Sequence, residues 1–155
     1  MIVQSLFKLK NIIDKLKKQN KKIVFTNGCF DILHPGHIKL LKKAKSLGDI
    51  LIVAINSDSS VKKIKGNKRP IVNEKNRSEI VDSIKYVDYV YIFSENTPEK
   101  VIKTLRPDIL VKGSDWEFNK IVGREYVKKV FRVALLKGFS TTNLIKKISK
   151  INEEK

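Results

Sequence analysis

Apolar positions along the chain change their period several times, and each change marks an element. Leu6, Leu9, Ile13 and Leu16 recur at helical spacing within residues 5–20, which predicts an N-terminal amphipathic helix. Lys22-Ile23-Val24-Phe25-Thr26 is short, β-branched and aromatic, as a buried strand is. Ile38, Leu41, Ala44 and Leu47 return to helical spacing, with lysines at 39, 42, 43 and 45 on the other face. Residues 50–55 are continuously apolar and predict a strand covered on both sides. Strand, helix, strand in that order implies a parallel pair with a right-handed crossover.

Residues 56–70 then turn polar and basic beside a strand's C-terminal end and read equally as a segment that can close over an anionic substrate or as an ordinary surface loop. Asn73 is placed to cap a helix running to about residue 85, with Ile80, Val81 and Ile84 inward. Residues 87–92 form a third strand. Thr97-Pro98-Glu99 opens a helix with a threonine cap and proline at the first helical position, and Pro107 follows its end. Residues 109–111 are a fourth strand, 124–129 a short helix and 130–136 a fifth strand. Ser140-Thr141-Thr142 opens the last helix, with Leu144, Ile145 and Ile148 inward. Alternating strands and helices predict an α/β fold: a Rossmann-like doubly wound sheet of about five parallel strands with helices on both faces. At 155 residues the chain fits one domain with a sizeable core.

Composition narrows the function classes. The formal net charge of +17 raises nucleic-acid binding as an option, yet only five of the 33 basic residues are arginines, the residue type favoured for specific base and phosphate recognition. The lysines are spread over nearly every predicted helix, and there is no aromatic-rich stacking segment. A solvated lysine-rich surface, whose field also draws in anionic nucleotides, is the expectation, with no nucleic-acid partner. The single Cys29 makes no internal disulfide and suits a reducing compartment. No apolar stretch approaches membrane-spanning length, and Met1-Ile2-Val3-Gln4 lacks a signal-peptide layout, so a cytoplasmic protein without a membrane partner is expected.

Candidate chemistry concentrates where the first strand meets the second helix, in Thr26-Asn27-Gly28-Cys29-Phe30-Asp31-Ile32-Leu33-His34-Pro35-Gly36-His37. A strand tip, a glycine turn and a helix start bring unpaired N–H groups and a dipole's positive end together, which favours phosphate. His34 and His37 are three residues apart and can address one oxyanion, while Gly36 admits a close backbone approach. A histidine at a helix start is also an ordinary cap or surface residue. Cys29 beside the pair reads as a small residue filling a tight turn. Gly113 and Asp115 sit at the tip of the fourth strand, where a backbone turn can lie against a flat base and a carboxylate can orient the site, although Gly-Ser-Asp is also a common turn that Trp116 can simply cover. Hydroxyls of Ser140, Thr141 and Thr142 after the Gly138-Phe139 turn make a second phosphate cradle.

These stretches, His34-Pro35-Gly36-His37 after Gly28-Cys29-Phe30-Asp31, Val111-Lys112-Gly113-Ser114-Asp115-Trp116, and Gly138-Phe139-Ser140-Thr141-Thr142-Asn143-Leu144-Ile145, resemble the three signatures of the HxGH nucleotidyltransferase superfamily in their order. The resemblance covers nearly all of the chain after Lys21. Within the superfamily, Lys65-Gly66 with Arg69-Pro70, Phe93 to Glu99 and Arg106 to Gly113 look most like the heptose-1-phosphate adenylyltransferases. It implies residues 22–150 as the catalytic core, with 1–21 a helix packed on it, and a stand-alone transferase without the sugar-kinase domain of the bifunctional form.

The resemblance also implies roles. His34, His37 and Arg77 would be catalytic, Arg77 matching an arginine that reaches the triphosphate. Thr26, Asn27, Gly28, Cys29, Phe30, Gly36, Gly113, Asp115, Gly138, Phe139, Ser140, Thr141 and Thr142 would bind the nucleotide. Asp31, Lys65 and Arg69 would meet the sugar phosphate. ATP, or CTP, and a sugar or polyol phosphate would be the partners, Mg²⁺ would accompany the triphosphate with no protein-bound structural metal, and homodimers are the usual assembly. Two features depart from the pattern. Gly113-Ser114-Asp115-Trp116 is closer to the glycerol-3-phosphate cytidylyltransferases than to the Gly-Gly-Asp of the heptose branch, whereas the arginine those enzymes carry before the last motif is absent from Leu135-Leu136-Lys137-Gly138.

No Gly-Lys-Ser/Thr loop, metal-ligand cluster or nucleophile triad is evident. The expected reaction is in-line attack of a sugar phosphate on the α-phosphorus of a nucleoside triphosphate, expelling pyrophosphate. A glycerol-3-phosphate cytidylyltransferase and, more remotely, a basic nucleic-acid-binding module are the alternatives.

Overall fold

The computed structural model describes residues 1–134, 136 and 138–153. Its centre is a five-stranded parallel sheet: β1 (Ile23–Gly28), β2 (Ile50–Asn56), β3 (Tyr89–Phe93), β4 (Ile109–Gly113) and β5 (Lys129–Val133), in the order β3-β2-β1-β4-β5. Phe25 on β1 lies opposite Ile52 on β2 and Leu110 on β4. The chain moves outward from β1 to β3 and then returns to the other side of β1 for β4. The tips of β1 and β4 therefore flank the reversal of strand order, where open α/β sheets hold their ligands.

Among the described residues six α-helices accompany the strands, α1 (Leu6–Lys18) before them, α2 (Pro35–Lys45), α3 (Asp58–Lys65), α4 (Glu74–Asp82) and α5 (Glu99–Leu105) between them, and α6 (Thr141–Glu153) after them. Strand side chains alternate between two apolar layers. Leu9 and Ile13 of α1 and Val101, Ile102 and Leu105 of α5 pack with Phe25, Ile52 and Leu110 on one face. Leu41 and Ala44 of α2 and Val81 of α4 pack with Val24, Val53 and Val111 on the other. The doubly wound α/β fold expected from the alternation of elements is the fold observed. No helix among the described residues is long and apolar enough to cross a membrane.

Several local expectations are corrected. Residues 56–70 are not all loop: α3 occupies Asp58–Lys65, capped by the Ser57 hydroxyl on the Ser60 N–H at 3.2 Å, with Asp58 in its first turn. Only Ser60 and Val61 are buried in it, so its apolar stripe was too thin to register against the lysines. In α4 Ile80 points out and Arg77 and Ser78 point in, and the helix stops at Asp82 rather than near residue 85. Pro98 rather than Thr97 holds the cap position of α5. The predicted helix over 124–129 is a single 3₁₀ turn at Arg124–Tyr126, and β5 starts at Lys129 and ends at Val133. Ile148 on α6 is exposed. Leu135 and Lys137, in the stretch expected to finish β5 and turn into the last motif, lie outside the described residues.

Candidate active site

β1 ends at Gly28, and the chain reverses through Phe30, which adopts a left-handed conformation at φ 48°. This turn folds the phenyl ring back so closely that a Cβ on Gly28 would sit 3.1 Å from it. The Phe30 ring is buried and its centroid is 5.2 Å from that of His37. His34 is the N-cap residue of α2 in extended conformation, and Pro35 supplies the preset first helical φ. The His34 side chain makes no capping bond, so its ring is not occupied as a cap.

The two imidazoles stack, with centroids 3.8 Å apart and planes 23° from parallel. Gly36 makes room for this pair, because a Cβ there would be 3.0 Å from the His34 ring. Nδ1 of both histidines is buried without a protein partner. Burial, with the His34 neighbour second, pushes His37 down to about 4; burial also lowers His34. Both rings are therefore neutral near pH 7, each with one N–H to donate and one bare nitrogen.

The last helix delivers its start to the same place. The Ser140 hydroxyl accepts from the Asn143 N–H at 3.1 Å and caps the first turn of α6. The Thr141 hydroxyl lies 3.4 Å from the carbonyl of Ile32, inside the β1–α2 loop. Gly138 is left-handed at φ 83°, a conformation that suits glycine, and Phe139 is exposed. Thr142 is exposed beside Thr141.

A layer of charged contacts lies under the loop. Asp31 is buried; one oxygen accepts the N–H groups of Ile71 and Val72 at 2.8 Å each, and the other accepts Arg69 Nε at 2.6 Å. Burial alone would raise this carboxyl, but those donors outweigh it and hold it below its usual range. Arg77, the largest fully buried side chain among the described residues, donates to the Val72 carbonyl at 2.9 Å, the Cys29 carbonyl at 2.5 Å and Asp58 Oδ1 at 2.8 Å. Its guanidinium is thus engaged with protein on three sides. Burial raises the Cys29 thiol against the positive charges of Lys65, Arg77 and Arg69, so it is a thiol rather than a thiolate near pH 7. Lys65 is the last residue of α3 and is exposed.

At the β4 tip, Thr26 is a buried stitch whose hydroxyl donates to the Val111 carbonyl at 3.0 Å. Gly113 is buried, while Asp115 and Trp116 are exposed beyond it. Lys112, not singled out from sequence, is buried at the tip and donates to Asn27 Oδ1 at 2.6 Å. The signal available for it was a lysine ending an otherwise apolar strand.

His34, Gly36, His37 and the Ser140–Thr142 turn thus share one end of the sheet with Asn27, Gly28 and Gly113. Thr26, Asp31 and Arg77 form the layer beneath. Among the described residues no three His, Cys, Asp or Glu side chains converge as a metal site. A cavity of about 1050 Å³ opens at the other end of the sheet, between the starts of β1, β4 and β5. Two of its lysines already have partners there: Lys17 donates to the Leu105 and Arg106 carbonyls, and Lys128 pairs with Asp108.

A family model described as cytidylyltransferase-like matches residues 25–149, which takes in the loop, both histidines, the β4 tip and the start of α6. The chain belongs to the cytidylyltransferase-like family of nucleotidyltransferases. The superfamily read from the three motifs is borne out. This cytidylyltransferase-like chain is 49% identical over 146 residues, 94% of its length, to the bifunctional protein HldE of Helicobacter pylori strain J99. It is 48% identical over 152 residues, 96% of its length, to the protein of the same name from Geobacter sulfurreducens. It spans about a third of the length of these relatives, 32% and 31%. Among solved structures it resembles a lipopolysaccharide core biosynthesis protein from Thermoplasma volcanium GSS1, with TM-score 0.61, 33% identity, and coverage of 76% of this chain and 99% of that one. A pantoate-beta-alanine ligase from Francisella tularensis, solved with beta-gamma ATP and beta-alanine, superposes with TM-score 0.65 at 19% identity over 99% of this chain and 78% of that one. At that identity the ligase speaks for the fold alone.

Proposed function

We propose that this chain transfers AMP from ATP to a sugar 1-phosphate, heptose 1-phosphate, releasing pyrophosphate and giving ADP-heptose for cell-surface glycan synthesis in the cytoplasm. Half identity to HldE proteins over nearly the whole chain, and kinship with a lipopolysaccharide core biosynthesis protein, support this choice of acceptor. The observation that carries the chemistry is the stacked His34–His37 pair with the α6 tip beside it.

The acceptor is a phosphate monoester whose second pKa is about 6, so near pH 7 it is already a nucleophile and needs no strong general base. Its oxygen attacks the α-phosphorus as the bond from that phosphorus to the oxygen bridging to the β-phosphate breaks, and pyrophosphate leaves with the electron pair. Negative charge grows on the α-phosphate oxygens and the bridging oxygen. Neutral imidazole N–H groups of His34 and His37 donate there, a preorganised electrostatic stabilisation with no covalent intermediate. The β- and γ-phosphates are assigned to the hydroxyls and N–H groups that open α6. Arg77 is assigned a positioning role, since its donors fix the Cys29 and Val72 carbonyls. Asp31 fixes residues 69–72 by accepting from Arg69 and the Ile71 and Val72 N–H groups, beside the basic stretch assigned to the sugar phosphate.

Mg²⁺ accompanying the triphosphate would be held chiefly by phosphate oxygens and water, as that ion prefers, rather than by a cluster of protein ligands. It would supply neutralisation of phosphate charge. The test is a matrix of ATP and CTP against heptose 1-phosphate and glycerol 3-phosphate, read as pyrophosphate release. ATP with heptose 1-phosphate is expected to react. Turnover confined to CTP with glycerol 3-phosphate would replace this reading with the one suggested by Gly113-Ser114-Asp115-Trp116.

A further inference from the structure

Lys112 is a cation inside the molecule. All five residues of β4 are buried, and Lys112 itself is 6% exposed. Its ammonium donates to Asn27 Oδ1 on β1 at 2.6 Å and lies 5.0 Å from the centre of the Trp116 ring. The charged and titratable groups facing it are Asp115 in the loop after its own strand, the Cys29 thiol in the β1–α2 loop, and Arg132, its register partner on β5. Among the described residues it forms no ion pair.

An ammonium buried without an anion is costly, and an apolar side chain of similar length would pack there at lower cost. A lysine in this position works against stability, and it does so where the strand order reverses. The bond to Asn27 also has a direction. With Oδ1 held by the ammonium, the part of the Asn27 amide left to meet a ligand is its NH₂ donor.

We infer that Lys112 is a positioning residue of the nucleotide site, holding Asn27 as a donor and supplying buried positive charge at the β1/β4 crevice that the triphosphate balances. This rests on the nucleotidyltransferase reading and adds to it a residue outside the motif histidines and hydroxyls. Burial pushes the Lys112 ammonium down to about 8, against the opposing pull of Asp115 and Cys29. The charge is therefore present below about pH 8 and lost above it in the free protein.

The test compares wild type with K112M and N27D by pyrophosphate release, by direct titration with ATP, and by thermal unfolding. The first variant removes the charge at similar length; the second gives the ammonium a permanent carboxylate partner. K112M is expected to unfold at the wild-type temperature or higher while its KM for ATP rises roughly tenfold or more, the size of one lost charge-assisted contact. Its kcat should change much less. Wild-type KM for ATP should climb as pH passes about 8, and that climb should be missing from K112M. N27D should likewise bind ATP more weakly while unfolding no earlier, and it carries the test if K112M does not fold. An unchanged KM in the folded variants, or a fall in melting temperature with binding intact, overturns the inference. Wild-type silence toward every substrate pair would strike the nucleotidyltransferase reading, and the ATP titration would still decide on Lys112.

Discussion

The hydroxyl of Thr141, at the start of α6, lies 3.4 Å from the carbonyl of Ile32, a residue 109 positions earlier in the β1–α2 loop. Two motifs from opposite ends of the chain thereby meet at one end of the sheet. T141V keeps the side-chain shape and removes the donor. The expected cost in stability is about 1 kcal/mol. A KM for ATP raised by more than that stability change implies, in a steady-state assay, would mark the hydroxyl as a phosphate contact as well as a tether.

Gly36 is the residue whose substitution should separate fold from function. A Cβ at this position would come within 3.0 Å of the His34 ring, and a side chain can swing aside where backbone could not. G36A is expected to retain the wild-type circular dichroism spectrum and a melting temperature within a few degrees, while kcat/KM falls by about tenfold or more. Retention of full activity would mean that the stacked ring arrangement is not needed.

Acid sensitivity follows from the buried imidazoles. His37 takes up its proton at about 4 when folded and near 6.5 when free in the unfolded chain. The unfolded state therefore binds the extra proton first as pH falls, and stability declines from about pH 6.5 toward 4. The Asp31 carboxyl, held low when folded, contributes stability present above its unfolded value and lost as pH falls through its folded one. Urea midpoints measured at intervals of pH should show H37N flattening the slope above pH 5, and D31N lowering stability there while flattening the slope below it.

Arg77 is expected to behave as a strut. R77M would leave the Cys29 and Val72 carbonyls without their donor and Asp58 without its cation. Asp58 is 32% exposed and can recover water, which puts the loss near the lower end for a broken buried pair, about 3 kcal/mol. D58N should cost less, because the guanidinium keeps its two carbonyls. Equal activity per folded molecule in R77M would confine the residue to stability. A loss beyond the unfolded fraction would be the signature of a displaced loop.

The sheet was legible because strands buried on both sides read as unbroken apolar runs, as residues 50–55 do, and helices over them read by their inward stripe. The histidines and the Ser-Thr-Thr turn were legible because local order places them at helix starts. Less legible was whatever depends on a partner far along the chain. Arg77 sits on the inward face of α4 where Ile80 was expected, because its charge is matched by Asp58 and two carbonyls that no local pattern announces. Lys112 reads from sequence as a polar strand end, and only the pairing of β4 with β1 brings Asn27 to it. The α3 helix escaped notice because two buried residues make a weak period against three lysines in its own last turn, at 62, 63 and 65.

The most direct measurement is pyrophosphate release from ATP and heptose 1-phosphate by the wild-type chain beside H34A and H37A, each first shown to be folded. Removing either donor from the growing charge on the α-phosphate should lower kcat by two or more orders of magnitude, on the order of 10²–10³. Wild-type rates in both variants would contradict the assignment of the stacked imidazoles as the centre of the reaction.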